Sequence, residues 1–148
     1  MTDLLARIAA ARAAGDLGIL VAEVPYACFL GLRCAAEGGD LITTMAAGAH
    51  LIGNPAIPAL HGGALGALLE SAAVFQLLWG SETVLLPKTI TITVDYMRSA
   101  RPVDTHARGV IMRQGRRVAT VRVEGWQDDR SQPVVSAHGH FLIKRDEP

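Results

Sequence analysis

Glu70 lies in the apolar run from Ala64 to Trp79, where the positions one helical turn away are Gly66, Ala67, Ala73 and Val74. None of them can pair with it. A carboxylate on an apolar helix loses hydration without gaining a partner, so it is either kept for a task or compensated from elsewhere in the fold. The structural alternative is that Glu70 emerges at the helix edge and meets an arginine of the C-terminal half. The same run opens on His61-Gly62-Gly63. The first N–H groups of a helix point outward with partial positive charge, and glycine lets a ligand approach that backbone closely. A carbonyl oxygen placed there would be polarised as in an oxyanion hole. The plainer reading of the two glycines is a tight turn and a close-packed helix start. Upstream, Asn54 supplies an amide for a carbonyl or a water, or else an Asx-turn before Pro55.

A polarised carbonyl and a carboxylate free to act as nucleophile or general base are the parts of an acyl-group hydrolysis. A serine-hydrolase elbow is absent: the sequence has no G-x-S-x-G, and Ser71 has no evident His-Asp support. His138 and His140 share one strand face with Ser136 and Lys144, but without a third ligand nearby an H-x-H pair is a poor metal site. No metal is expected. Cys28 and Cys34 are too far apart for a CxxC motif and read as buried free thiols, which makes a reducing cytoplasm the default compartment. The N-terminus, with Asp3, Arg7 and Arg12, has no apolar core of signal-peptide type.

These residues need elements to position them, and 148 residues, half of them hydrophobic, suffice for one domain over residues 1–148. Leu4, Leu5, Ile8 and Ala9 recur at helical spacing behind a Thr2 N-cap candidate, and Gly15 follows, so a short amphipathic helix is predicted over about 3–14. Residues 30–37 and 40–47 read as two strands around Gly38-Gly39, a dipeptide that tolerates positive φ. Residues 48–60, with Gly53, Pro55 and Pro58, read as a loop. The run that follows is apolar on nearly every face, so other elements must enclose it. Its 16 residues from Ala64 to Trp79, interrupted by Glu70, Ser71 and Gln76, fall short of the roughly 20 a spanning helix needs. No membrane span is expected.

The remainder is β. Thr89, Thr91, Thr93 and Asp95 alternate with Ile90, Ile92, Val94 and Tyr96, which predicts one polar and one apolar face. Residues 103–113 and 117–127 flank a turn at Gln114-Gly115, and 133–144 follows the turn-rich Asp128-Asp129-Arg130-Ser131. In the middle strand Ala119, Val121 and Val123 point inward while Thr120, Arg122 and Glu124 point away. The order is helix, two strands, central helix, then four strands in hairpin succession: an α+β domain with a curved antiparallel sheet of five or six strands around a helix at about 62–79. Such a sheet has edges, and pairing them across a two-fold axis makes a homodimer the expected state.

Gly53-Asn54-Pro55 through His61-Gly62-Gly63, with an acid nine residues after the histidine at Glu70, resembles hotdog-fold acyl-CoA thioesterases of the phenylacetate-degradation (PaaI-like) type. The order of elements resembles that family over most of the chain. The resemblance implies a hotdog fold, thioester hydrolysis to free acid and CoA, and a homodimer, as a dimer of dimers or homotetramer. It implies Glu70 as nucleophile or general base on water, Gly62 with Gly63 as the amides that polarise the carbonyl, and His61 as a shaper of that pocket. It matches Asn54 to a polar loop residue, though Asn54 lies seven residues before His61, one more than in several relatives. Thr89 matches a polar position on the strand after the helix, and Val74 stands where some relatives carry a hydroxyl. In such proteins the loop and the helical acid of one site come from different subunits. No cofactor is implied, because CoA is part of the substrate.

The 14 basic and 14 acidic residues cancel, which gives no pull toward nucleic acid. The halves differ, however: residues 1–87 hold three basic residues (Arg7, Arg12, Arg33) against seven acidic ones, and 88–148 hold the remaining bases. Arg98, Arg101, Arg113, Arg116 and Arg117 flank strand ends and one turn, where cations can reach the phosphates of CoA. Two other readings remain open. His50 through Pro55, with Pro58, resembles the H-x-x-G-x-P-x-x-P loop of hotdog β-hydroxyacyl dehydratases, but Glu70 lies twenty residues beyond His50, too far for that pattern, and position 64 is alanine. The third is a non-catalytic acyl-CoA-binding protein in which Glu70 is structural.

Overall fold

The computed structural model describes residues 2–80 and 86–144. The chain opens with helix α1 (Thr2–Ala14), whose Ile8 and Ala11 are buried and whose Leu4 and Leu5 pack against the core. Thr2 is itself helical, so the N-cap lies outside the described residues. Gly15 ends the helix at φ +71, with its N–H on the Arg12 carbonyl, as a left-handed C-terminal residue should. Two five-residue helices follow, α2 (Gly18–Ala22) and α3 (Pro25–Phe29), in a stretch to which the sequence patterns assigned nothing.

Strands β1 (Leu32–Glu37) and β2 (Asp40–Met45) form the expected hairpin, with Gly38 at φ +57 and Gly39 at φ +87. Both turn residues in the left-handed region give the primed turn that matches strand twist. The segment read as a loop is more ordered than that. A 3-10 turn (Ala49–Leu51) leads into a small ribbon of β3 (Ile52–Asn54) and β4 (Ala59–Leu60).

Helix α4 (Gly62–Gly80) is the core of the molecule, with Leu65, Leu68, Leu69, Ala72, Ala73, Phe75, Leu77 and Leu78 buried. At 19 residues and a mean hydropathy of 1.3 it is longer than expected and matches a membrane span by length and composition. Its apolar surface is taken up by protein instead, because β2 and the four later strands all pack on it. Those strands are β5 (Lys88–Tyr96), β6 (Thr105–Gln114), β7 (Val118–Trp126) and β8 (Val135–Leu142). Ala119, Val121 and Val123 point into the core as predicted.

The sheet has six antiparallel strands in the order β1-β2-β6-β7-β8-β5, the upper of the two expected counts. The expected hairpin succession holds for β6, β7 and β8 and fails for β5, which pairs with β8 along its whole length. The reason lies in the connection. Eight residues join Tyr96 to Thr105, ample to cross the roughly 14 Å occupied by two intervening strands and longer than a tight hairpin loop. The uncovered edges of the sheet are therefore β1 and β5. The whole is α+β with one sheet curled around one helix, the hotdog arrangement.

The cysteines differ from each other. Cys28 is exposed instead of buried, and Cys34 is half-buried, its thiol pushed up to about 11 by desolvation despite a contact with Thr43 Oγ1.

Candidate active site

Glu70 lies in the middle of α4, half-buried, and its partner is Thr89: Thr89 Oγ1 donates to Glu70 Oε1 over 2.6 Å. The contact fills the role for which an arginine was the structural alternative. It depends on an irregularity in β5. Thr89 pairs with Phe141 and Thr91 with His140, so Ile90 is an extra residue in a β-bulge. A bulge reverses the in-out alternation. Thr89 thus turns toward α4, Ile90 turns out and is 53% exposed, and Ile92 and Val94 return to the core. The single apolar face predicted for Ile90, Ile92, Val94 and Tyr96 is broken at Ile90, whereas Tyr96, though exposed, keeps to the α4 side with its ring against Gly62.

Glu70 and Thr89 border a cavity of about 600 Å3, lined also by Val24, Tyr26, Ala67, Ser71, Val74, Phe75, Leu86, Pro87 and Lys88. Of the residues singled out from sequence, Glu70, Thr89 and Val74 meet here. Asn54, His61, Gly62 and Gly63 are not in the lining. Gly62 and Glu70 are eight residues apart on one helix, which is about 12 Å of axial rise at about 1.5 Å per residue. One chain's Gly62 amide and its own Glu70 cannot serve the same carbonyl.

The helix start is built differently from the expected pair of open amides. His61 precedes the first helical residue, and its Nδ1 accepts the Gly63 N–H at 2.8 Å. Nδ1 is therefore an acceptor here, and His61 acts as the helix cap. The Gly63 amide is occupied, while the Ala64 and Leu65 amides turn back to the His61 carbonyl. Gly62, at the first helical position, supplies the amide that has no acceptor within the helix. Both glycines are closely packed, Gly63 more so than Gly62. A Cβ at Gly63 would lie 2.9 Å from His61 Nδ1, and one at Gly62 would lie 3.3 Å from the Tyr96 ring, whose hydroxyl donates to the Gly62 carbonyl over 2.7 Å. The loop is closed as tightly: a Cβ on Gly53 would come within 2.8 Å of the His61 Cα. Asn54 Oδ1 accepts the Ala56 N–H at 3.0 Å, the Asx-turn of its plainer reading.

The arginines separate into two groups. Arg98 donates to the Pro133 carbonyl, and Arg101 is paired with Asp128 in a recess that Asp129 also lines, so neither stands as an open phosphate ligand. Arg113, Arg116 and Arg117 surround a recess of about 500 Å3 with Thr120 and His140, and no acidic residue lines it among those described. His140 Nδ1 bonds Thr120 Oγ1, and among the described residues no third ligand joins it and His138 in a metal-binding group. His50 is engaged elsewhere: its Nε2 donates to the Phe29 carbonyl at 3.1 Å, and it does not line the Glu70 cavity. The residues that sequence reasoning missed are Val24 and Tyr26, with Leu86 and Pro87. Pro25, in the first turn of a short helix, is the one local signal that marks that wall.

The family model of the acyl-CoA thioesterase N-terminal domain matches residues 53–142, from the loop through the last strand. The chain belongs to this family of thioester hydrolases. Among solved structures, a protein of Chromobacterium violaceum is 39% identical, with 95% of this chain and 98% of that one covered and a TM-score of 0.76. A phenylacetic acid degradation-related protein of Ralstonia eutropha is 25% identical over 84% of this chain and 96% of its own, with a TM-score of 0.72. A Bacillus halodurans protein crystallised with CoA shares the fold, at 19% identity, 98% and 93% coverage and a TM-score of 0.73. No curated protein matches the chain.

Proposed function

We propose that this protein hydrolyses acyl-CoA thioesters to a free acid and CoA, with Glu70 activating water or attacking the carbonyl carbon. The observation that carries the reading is the Glu70–Thr89 pair on the border of a largely apolar cavity. One Glu70 oxygen is held by the threonine hydroxyl, which fixes the carboxylate, and the other is left for the reaction. As general base it takes a proton from water as the oxygen attacks. The tetrahedral oxyanion then collapses, expelling CoA thiolate, which is protonated. No cofactor enters, and a reducing cytoplasm fits two cysteines that are free thiols.

The Gly62 amide of Glu70's own chain lies too far from Glu70 to hold the oxyanion, and we assign the donor to the Gly62 amide of a second copy. Homodimerisation through a sheet edge supports this. β5 is such an edge, it carries Thr89, and beside it Ile90, Tyr96 and Met97 are exposed. Two such dimers would form the tetramer. Arg113 and Arg116 are the better placed arginines for CoA phosphates, because they line a recess with no acidic residue among those described, whereas Arg98 and Arg101 are bonded to neighbouring groups. The test is release of free thiol from a panel of acyl-CoA thioesters, with enoyl-CoA hydration run in parallel. Thiol release that is lost in Glu70→Gln with the fold intact is expected. Full activity in that variant would sink the mechanism, hydration without thiol release would favour a dehydratase, and binding without either would leave a non-catalytic acyl-CoA-binding protein.

A further inference from the structure

Along α4 the lining of the cavity beside Glu70 changes from polar to apolar. Ala67, Glu70, Ser71, Val74 and Phe75 recur at steps of three and four along α4 and so form one stripe. Thr89 bonds Glu70; Val74 and Phe75 follow one turn further along the helix, and Val24, Tyr26, Leu86 and Lys88 line the same cavity. A ligand that fits has one reacting polar end and one apolar tail. The volume, about 600 Å3, lies within the range of small-molecule pockets.

The part of the lining that Val24 and Tyr26 form is held in place by its own sequence. Val24 is extended, at φ −116 and ψ 101, as the residue before a proline must be, and Pro25 then starts α3 with its φ already fixed. The Val24 N–H bonds the Val21 carbonyl and its carbonyl accepts from Cys28, so both its backbone groups are used. Tyr26 stacks on Phe29 with ring centroids 5.9 Å apart, and His50 packs its edge on Phe29 while bonding that residue's carbonyl. The 3-10 turn thereby braces α3.

We propose that the α2–α3 junction selects the acyl group: Val24 limits its length, Tyr26 covers its outer side, and the group is apolar, without a distal charge. This rests on the hydrolase reading of Glu70. The one cation among the described residues that line the cavity is Lys88, next to the Thr89 that holds Glu70, so a tail running away from Glu70 along α4 leaves it behind.

Thiol release from acetyl-, butanoyl-, octanoyl-, decanoyl- and glutaryl-CoA by the wild type, Val24→Trp and Tyr26→Ala tests it. The wild type is expected to favour octanoyl over glutaryl by about tenfold or more in kcat/KM, the scale on which hydrophobic pockets discriminate. Val24→Trp should lower the octanoyl-to-butanoyl ratio by about tenfold, and Tyr26→Ala should raise the decanoyl-to-octanoyl ratio. Ratios unchanged within about twofold in both variants, or a preference for glutaryl, would overturn the proposal. Tyr26 is exposed, so its replacement carries the test if Val24→Trp does not fold. Calorimetric binding of octyl- and butyl-CoA thioethers reads the same wall without turnover. Loss of the hydrolase reading would then show as activity independent of Glu70, and loss of the wall as unchanged thioether selectivity.

Discussion

Thr89 Oγ1 reaches Glu70 Oε1 over 2.6 Å because strand β5 carries one residue more than its partner β8 at this point. The bulge and the bond are one feature. Hydrogen bonds to a charged acceptor are roughly twice as strong as neutral ones, so the threonine fixes the carboxylate's direction. Thr89→Val, which keeps the shape and removes the donor, is expected to lower kcat about tenfold to a hundredfold with a smaller effect on KM. Thr89→Ser should recover most of the loss. An unchanged kcat in Thr89→Val would show that the bond is structural.

Sharing of one site by two copies predicts complementation. Glu70→Gln and Gly62→Pro each lose activity, the second because proline removes the amide at a helix position that tolerates it, with only the Tyr96 ring to adjust. Mixed after dissociation, the two should regain a substantial fraction of wild-type activity, since half of the sites in a mixed dimer are intact. No regain from the mixture, with mixed dimers verified by mass spectrometry, would place both functions in one chain.

His61 is predicted to matter first as a cap. His61→Ala removes the acceptor for the Gly63 N–H and should cost about 1 kcal/mol in thermal or denaturant unfolding, and His61→Asn, with an oxygen at capping distance, should restore it. Gly63→Ala pushes on the same ring, from 2.9 Å, and should lose stability comparably. Equal stability of the alanine and asparagine variants would rule out the capping role.

The two cysteines should differ in reactivity, since Cys28 is exposed and Cys34 half-buried. Cys34 stays protonated to about 11 in the folded chain because its thiolate is desolvated, against an ordinary value of 9.0. At pH 8 alkylation followed by mass spectrometry should label Cys28 and spare Cys34, and both should react in denaturant. Between about 9 and 11 the unfolded chain releases this proton first, so stability falls as pH rises through that window, and Cys34→Ala should flatten the fall.

At the acid end Asp104 acts with the opposite sign. It accepts from the Ala47 N–H at 2.8 Å and from Arg33 at 2.9 Å, which lowers its pKa below the ordinary 3.8. Its contribution is complete above 3.8 and is lost as pH falls through the folded value. The group is solvent-exposed, so the effect is expected to stay below about 1 kcal/mol. Thermal unfolding of Asp104→Asn should therefore differ from wild type at pH 6 and approach it progressively as the pH is lowered below 3.8.

Periodicity made the elements legible where a chain segment is long or strictly alternating: α4, the Gly38-Gly39 hairpin and the inward set Ala119, Val121 and Val123 all follow from local pattern. Neighbour choice does not, because β5 looks the same beside β6 as beside β8. The bulge at Ile90 was invisible for a related reason, since the extra residue is defined only against a partner strand. Glu70 was found because its apolar setting is written in the sequence. Its cavity was not, because Val24 and Tyr26 reach it from helices of five residues each, too short for a helical repeat to show.

Asp40, at the Gly38-Gly39 hairpin, holds both Arg108 and Arg130. The acidic first half of the chain thus collects its counter-ions from the basic second half, and β2 likewise pairs with β6, about sixty residues later. A chain emerging from the ribosome must expose α4, apolar around its circumference, until β6, β7 and β8 have been made. Folding is then governed by distant contacts that close last, which makes it slow for so small a domain and leaves an interval in which the nascent chain depends on shielding from its neighbours.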